Sequence, residues 1–146
     1  MGTSAEVYRD AAHEHVIVAA ELYASARYVM AHYVAGLSVE CILRAYQVRR
    51  NAEFDAKHDL QKLSYSAKFP ELFPKARFNE YQGLLAAVVV RWKNDFRYRS
   101  LKSLRSYLIR LHVHEGIKGD VVKESARRIV NAATTLVELG VTKWKP

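Results

Sequence analysis

The chain alternates long amphipathic stretches with short polar breaks. Within most stretches the apolar residues recur every three or four positions, the period of an α-helix. Tyr8, Ala12, His15, Ala19 and Leu22 form the first such stripe and predict a helix from about Ala5 to Tyr23. Thr3 and Glu6 have the capping-box spacing, in which each side chain satisfies the other's free backbone N–H. A more apolar helix is predicted over Tyr28–Arg50, capped by Ser25, with Tyr28, Ala31, Ala35, Val39, Ile42 and Tyr46 on its stripe. Gly36 inside it costs about 1 kcal/mol against alanine, so close approach of a neighbouring helix is expected there.

A short third helix is predicted from about Asp55 to Ala67, followed by a loop bracketed by Pro70 and Pro74, which cannot donate to a continuing ladder. The fourth, Lys75–Trp92, carries Phe78, Tyr81, Leu85, Val88 and Trp92 on one face. Its Val88–Val90 run would also suit a strand, but the helical period extends well before it. Lys93–Ser100 reads as an irregular basic turn, and Leu101, Leu104, Leu108 and Leu111 mark a fifth helix of about three turns. After Gly116 and Gly119, Asp120 caps a last helix with Val122, Ala126, Ile129, Ala133, Leu136 and Val137 inward and Gly140 expected just past its end. The fold class is therefore all-α, a bundle of five to six helices formed by one domain over residues 1–146.

Composition narrows the setting. A chain of 146 residues, half of them hydrophobic, is long enough to bury a core without staples. One cysteine, Cys41, excludes an internal disulfide framework and reads as a small buried hydrophobe. No apolar run reaches membrane-spanning length, because His32, Glu40 and Arg44 interrupt the longest. The start, MGTSAEVYRD, lacks the basic and apolar regions of a signal peptide, so a cytoplasmic protein is expected. With 23 basic and 15 acidic residues the net charge is +8, which favours anionic partners. Much of that excess lies between Arg91 and Arg110, where Arg91, Lys93, Arg97, Arg99, Lys102, Arg105 and Arg110 face one acid, Asp95.

Several of these features stand in a known order. A first helix, Tyr8–Tyr23, carries small and aromatic residues. A second has small Ala31 and Ala35, then an acid, Glu40, and a base, Arg44. A third opens with His58-Asp59-Leu60, and an Arg-Tyr pair, Arg97-Tyr98, follows a later helix. This order resembles the HEPN family, small all-helical domains often tied to RNA cleavage or nucleotide binding, and the likeness covers most of the chain. Nuclease members have an arginine, a spacer of four to six residues and a histidine. Here Arg105 and His112 have that spacing, with Ser106 where an asparagine is common. The resemblance implies a homodimer, and a partner such as an antitoxin or a nucleotidyltransferase-like protein.

The residues themselves suggest chemistry. On a continuous helix, Arg105 and His112 would stand two turns apart on one side. Metal-independent RNA cleavage needs proton transfer to and from oxygens and a cation on the charged phosphorane, which histidine and arginine supply. Two copies meeting across a dimer axis would provide both proton-transfer roles. The plainer alternative is a solvated basic face beside a leucine stripe. His112 and His114, two apart, would diverge by about 200° on a helix and could not share an ion, so neither a metal nor a cofactor is expected.

The Arg91–Tyr107 segment interleaves bases with aromatics. Lys93, Arg97, Tyr98, Arg99 and Arg105 are the candidate contacts for RNA or a nucleotide, with Trp92 and Phe96 assigned to the core. Glu40 and Arg44 have the spacing of an intrahelical ion pair. Alternatively, Glu40 lies in a groove and orients Arg97 or Arg105. Asp59, beside His58, suits the start of helix three. Neither a Gly-rich phosphate loop nor a nucleophile elbow is present. The expected function is RNA or nucleotide binding through the basic turn. A toxin-type ribonuclease and a non-catalytic interaction module are the alternatives, and no membrane partner is expected.

Overall fold

The computed structural model describes residues 3–50 and 57–145. Among them the chain forms six α-helices and no strand: α1 (Ala5–Ala24), α2 (Tyr28–Arg50), α3 (Leu60–Ala67), α4 (Phe78–Val89), α5 (Leu101–Arg110) and α6 (Val121–Thr142). Single 3-10 turns span Phe69–Leu72, Lys75–Arg77 and Asn94–Tyr98. No helix of the described residues is long and apolar enough to cross a membrane.

The centre of the bundle is α2, which packs on α1, α3 and α6. Thirteen of its residues are buried, against ten in the similarly long α6, so α2 has almost no solvent face. Small residues make this packing close. Ala12 and Ala19 of α1, and Ala31 and Ala35 of α2, are fully enclosed. A Cβ added at Gly36 would collide with the indole of Trp92, which donates its Nε1–H to the Tyr33 carbonyl at 3.0 Å. The close approach expected at Gly36 is therefore made by a single side chain arriving after α4.

The helix ends differ from expectation where capping chemistry is local and competitive. α1 is capped by Ser4, whose hydroxyl accepts from the Val7 N–H, one residue beyond the expected Thr3. Ser25 closes α1 and does not open α2: its hydroxyl donates to the Glu21 carbonyl. Ala26 follows in the left-handed region at φ 61°. Part of the expected start of helix three lies outside the described residues, and α3 begins at Leu60 with Asp59 as its cap, accepting from the Lys62 N–H at 3.0 Å. α4 starts later and ends earlier than expected. Val88 and Val89 are helical and Val90 closes the helix in helical geometry, while Trp92 is core beyond it.

α5 opens with a capping box of Ser100 and Ser103. Only Leu104 and Leu108 of its four-leucine stripe are buried, while Leu101 and Leu111 are exposed. Asp120 caps α6 as expected, and all six of its predicted inward residues are buried. Gly140 is not past the end of α6 but inside it, where a Cβ would strike Ile42 and the ring of Phe69. Its carbonyl accepts from the Tyr46 hydroxyl at 2.6 Å, so α2 and α6 touch backbone to side chain there.

A buried polar pair crosses the bundle. His32 is fully enclosed, 2.8 Å from the Ser125 hydroxyl, and its Nδ1 has no hydrogen-bond partner among the described residues. Burial, and then the charge of Arg91, pull its pKa down to about 3. Cys41 is buried, and burial followed by the Glu40 charge pushes its thiol up to about 12, which keeps it an unreactive hydrophobe.

Candidate functional site

The basic turn is hung from the core by Phe96. This ring is fully buried, 5.9 Å from the ring of His32 and 5.2 Å edge-on to that of Tyr107. A 3-10 turn has three residues per revolution, so an inward Phe96 sends Arg97 and Tyr98 outward, before Arg99 leaves the turn in extended backbone. The geometry follows that rule. Tyr98 is 77% exposed with the Arg97 guanidinium 4.8 Å from its ring, while Arg99 lies 6.0 Å from the ring of Phe96.

Three cations converge on Tyr107. Arg99 stands 4.9 Å from the ring centroid, and Lys93 and Arg110 each stand 5.5 Å away. Tyr107 and Arg110 are three apart on α5 and share a face. Each cation–ring contact is worth about 0.5–1 kcal/mol at an exposed site, enough to bias a rotamer without neutralising a charge. Among the described residues, no carboxylate pairs with Lys93, Arg97, Arg99, Lys102, Arg105 or Arg110. The bases of α6 differ. Arg127 and Arg128 share Glu124, and the hydrogen bond from Arg127 leads in holding that carboxyl down at about 2. Arg91 leaves the basic surface altogether. It is buried, donates to the Ala87 carbonyl at 3.0 Å, and has its pKa lowered first by burial and then by Arg128.

Arg105 and His112 do not share a helix face. α5 ends at Arg110, and His112 takes φ 60°. The Val113 N–H bonds the Leu108 carbonyl and the His112 N–H bonds that of Ile109, the paired bonds of a Schellman motif with His112 where glycine is usual. The two-turn register expected from the spacing is therefore absent. Arg105 is exposed and sits two positions from Tyr107, about 200° around the helix, away from the cation cluster. His112 reaches Glu115 at 3.2 Å, and its ring stacks 6.2 Å from that of His114. The expected divergence of the two histidines fails because it assumed helix. No group of three metal-ligating side chains forms among the described residues.

Glu40 also departs from the groove reading. It is buried, with His58 Nδ1 2.5 Å and the Arg44 guanidinium 3.9 Å from its Oε1. Arg44 in turn donates to the carbonyl of Lys57, a residue held at φ 54°. A carboxylate removed from water must be paired. Here the pairing comes from Arg44 and the His58 ring, and neither Arg97 nor Arg105 reaches it among the described residues. Glu40, Arg44 and His58 thus join the middle of α2 to the approach to α3, which Asp59 caps.

Sequence reading missed Arg110 as a contact, although its spacing from Tyr107 was a usable signal. It also missed a cavity of about 580 Å³ between α3 and α4, which no local pattern announces. No family model matches this chain, and no curated protein or solved structure matches it either.

Proposed function

We propose that this chain is a HEPN-like helical domain that binds single-stranded RNA or a nucleotide through its basic turn, as a homodimer. The observation that supports binding is the convergence of Lys93, Arg99 and Arg110 on the Tyr107 ring with no carboxylate partner among the described residues. Three unneutralised cations held close together suit the oxygens of one phosphate or of two in succession. Tyr98, exposed and backed by Arg97, offers a face on which a base stacks. The exposed apolar side chains Val7, Ile17, Val18 and Met30 offer surface that a second copy would cover. The reading is of binding alone, since Arg105 and His112 lack the shared face on which cleavage was expected to rest.

Fluorescence polarisation with a labelled single-stranded RNA and with a single labelled nucleotide tests this reading. Both are expected to bind, the RNA more tightly because it reaches Tyr98 as well as the cluster. The double variant Arg99→Ala with Arg110→Ala should weaken both at least about tenfold, since a charge-assisted contact is worth about 1.5–3 kcal/mol before solvent screening discounts it. Unchanged affinity in that variant would show the basic turn to be a solvated face. Light scattering should give twice the mass of one chain, and a monomer at every concentration removes the dimer.

A further inference from the structure

The cavity between α3 and α4 has a composition of its own. On α3, Gln61 and Tyr65 are four apart and share a face; on α4, Phe78 and Gln82 do the same. All four line the cavity, so each helix presents a ring and an amide to the same space. The wall also includes Ser64 and Tyr81, whose hydroxyls are bonded to each other and are both buried. Burial pushes the Tyr81 phenol up to about 12, so this wall carries no charge at neutral pH.

Two further observations bear on what enters. Tyr65 is 86% exposed and Phe78 is 42% exposed, so one ring stands largely and the other partly in water beside the cavity. Tyr65 also borders a second, shallower concavity, which makes it a ridge with a free face on each side. At the rim, Lys68 and Glu71 carry opposite charges, so the site has no net charge although the chain carries +8. Lys68 is held at φ 51°, a conformation that disfavours a side chain.

A volume of about 580 Å³ is that of a small-molecule site, and eleven lining residues are too few for a typical protein interface, which takes about 20–30 residues a side. Rings favour a flat partner. Amides with both donor and acceptor favour a hydrogen-bonding edge, and a rim of balanced charge favours a neutral molecule. We infer that the α3–α4 cleft binds a neutral, planar heteroaromatic compound, its ring against Tyr65 and Phe78 and its polar edge on Gln61 and Gln82. This does not rest on the anion-binding reading, because the ligand carries no phosphate.

Titration of the full chain, followed by two-dimensional amide NMR, decides it. The probes are nicotinamide and adenosine, flat rings with hydrogen-bonding edges, and toluene, a ring without one. The first two should shift cleft resonances saturably, including the side-chain amides of Gln61 and Gln82. Tyr65→Ala cannot unfold a residue that is already in solvent, and it should weaken both by about tenfold. Gln61→Leu with Gln82→Leu should abolish the preference over toluene. Arg99→Ala with Arg110→Ala should change nothing here, which separates this site from the basic turn. The inference is overturned if neither polar-edged probe saturates, if toluene binds as well as they do, or if Tyr65→Ala leaves affinity unchanged.

Discussion

His58 Nδ1 sits 2.5 Å from Glu40 Oε1, and this contact fastens the start of α3 to the buried middle of α2. Eighteen residues separate the two in sequence. A hydrogen bond to a charged group is worth about 1.5–3 kcal/mol. Half-exposure of the His58 side chain discounts that here. Glu40→Ala should therefore lower the urea-unfolding free energy by about 1–3 kcal/mol. In a double-mutant cycle, His58→Ala should cost less in the Glu40→Ala background than alone. Costs that simply add would show the contact to be incidental.

His32 gives a pH dependence with a defined sign. Its folded pKa of about 3 lies below the ordinary value of 6.5, so between those values the unfolded chain binds the proton more readily. The stability contributed by the neutral ring is complete above 6.5 and is lost as pH falls toward 3. The slope attributable to this residue is up to about 1.4 kcal/mol per pH unit. Denaturation of the protein and of His32→Gln across this window should show a shallower pH slope in the variant. Parallel curves would mean that His32 titrates freely.

Besides α3, which ends on Lys68, two helices end on a side chain held at positive φ, Ala26 after α1 and His112 after α5. Both positions favour glycine. Ala26→Gly and His112→Gly should each raise the unfolding free energy by about 0.5–1 kcal/mol. A loss of stability in both would refute the left-handed caps.

The middle of α2 tolerates no added volume. Gly36→Ala would place a methyl group inside the Trp92 indole and should cost about 1–3 kcal/mol. Ala35→Glu would bury an unpaired charge at a fully enclosed site, and should unfold the domain or cost several kcal/mol. Thermal melting distinguishes the two, with a lowered midpoint for the first and no cooperative transition for the second.

If phosphates sit among Lys93, Arg99 and Arg110, RNA affinity must fall as salt rises. Each phosphate contact contributes about 0.7 to the slope of log affinity against log salt for single strands. Losing Arg99 and Arg110 together should flatten that slope by roughly 1.4. A flattened slope marks lost ionic contacts, whereas weakened binding at unchanged slope would point to ring stacking or folding instead.

The helices themselves were legible because each depends on neighbours three or four positions away. The stripe of α6, its Asp120 cap and the Asp59 cap of α3 all lie within one or two turns of the residues they serve. Helix ends were less legible. At Ser25, His112 and Gly140 the local signal was ambiguous, and the outcome was set by what the next segment packs against. A histidine accepts a left-handed backbone here, and a glycine stays inside α6 because Ile42 and Phe69 leave no room for a Cβ.

Charge density between Arg91 and Arg110 was also visible in the chain. Which of those bases converge was not, since that follows from Phe96 and Tyr107 burying their rings together and drawing Lys93, Arg99 and Arg110 around one face. Arg91 was withdrawn by burial and Arg105 by helix phase. The Glu40–Arg44 pair, four apart on α2, was legible, but residues distant in sequence meet only when the core closes, so tertiary packing alone decided the contact of Glu40 with His58 and the cleft between α3 and α4.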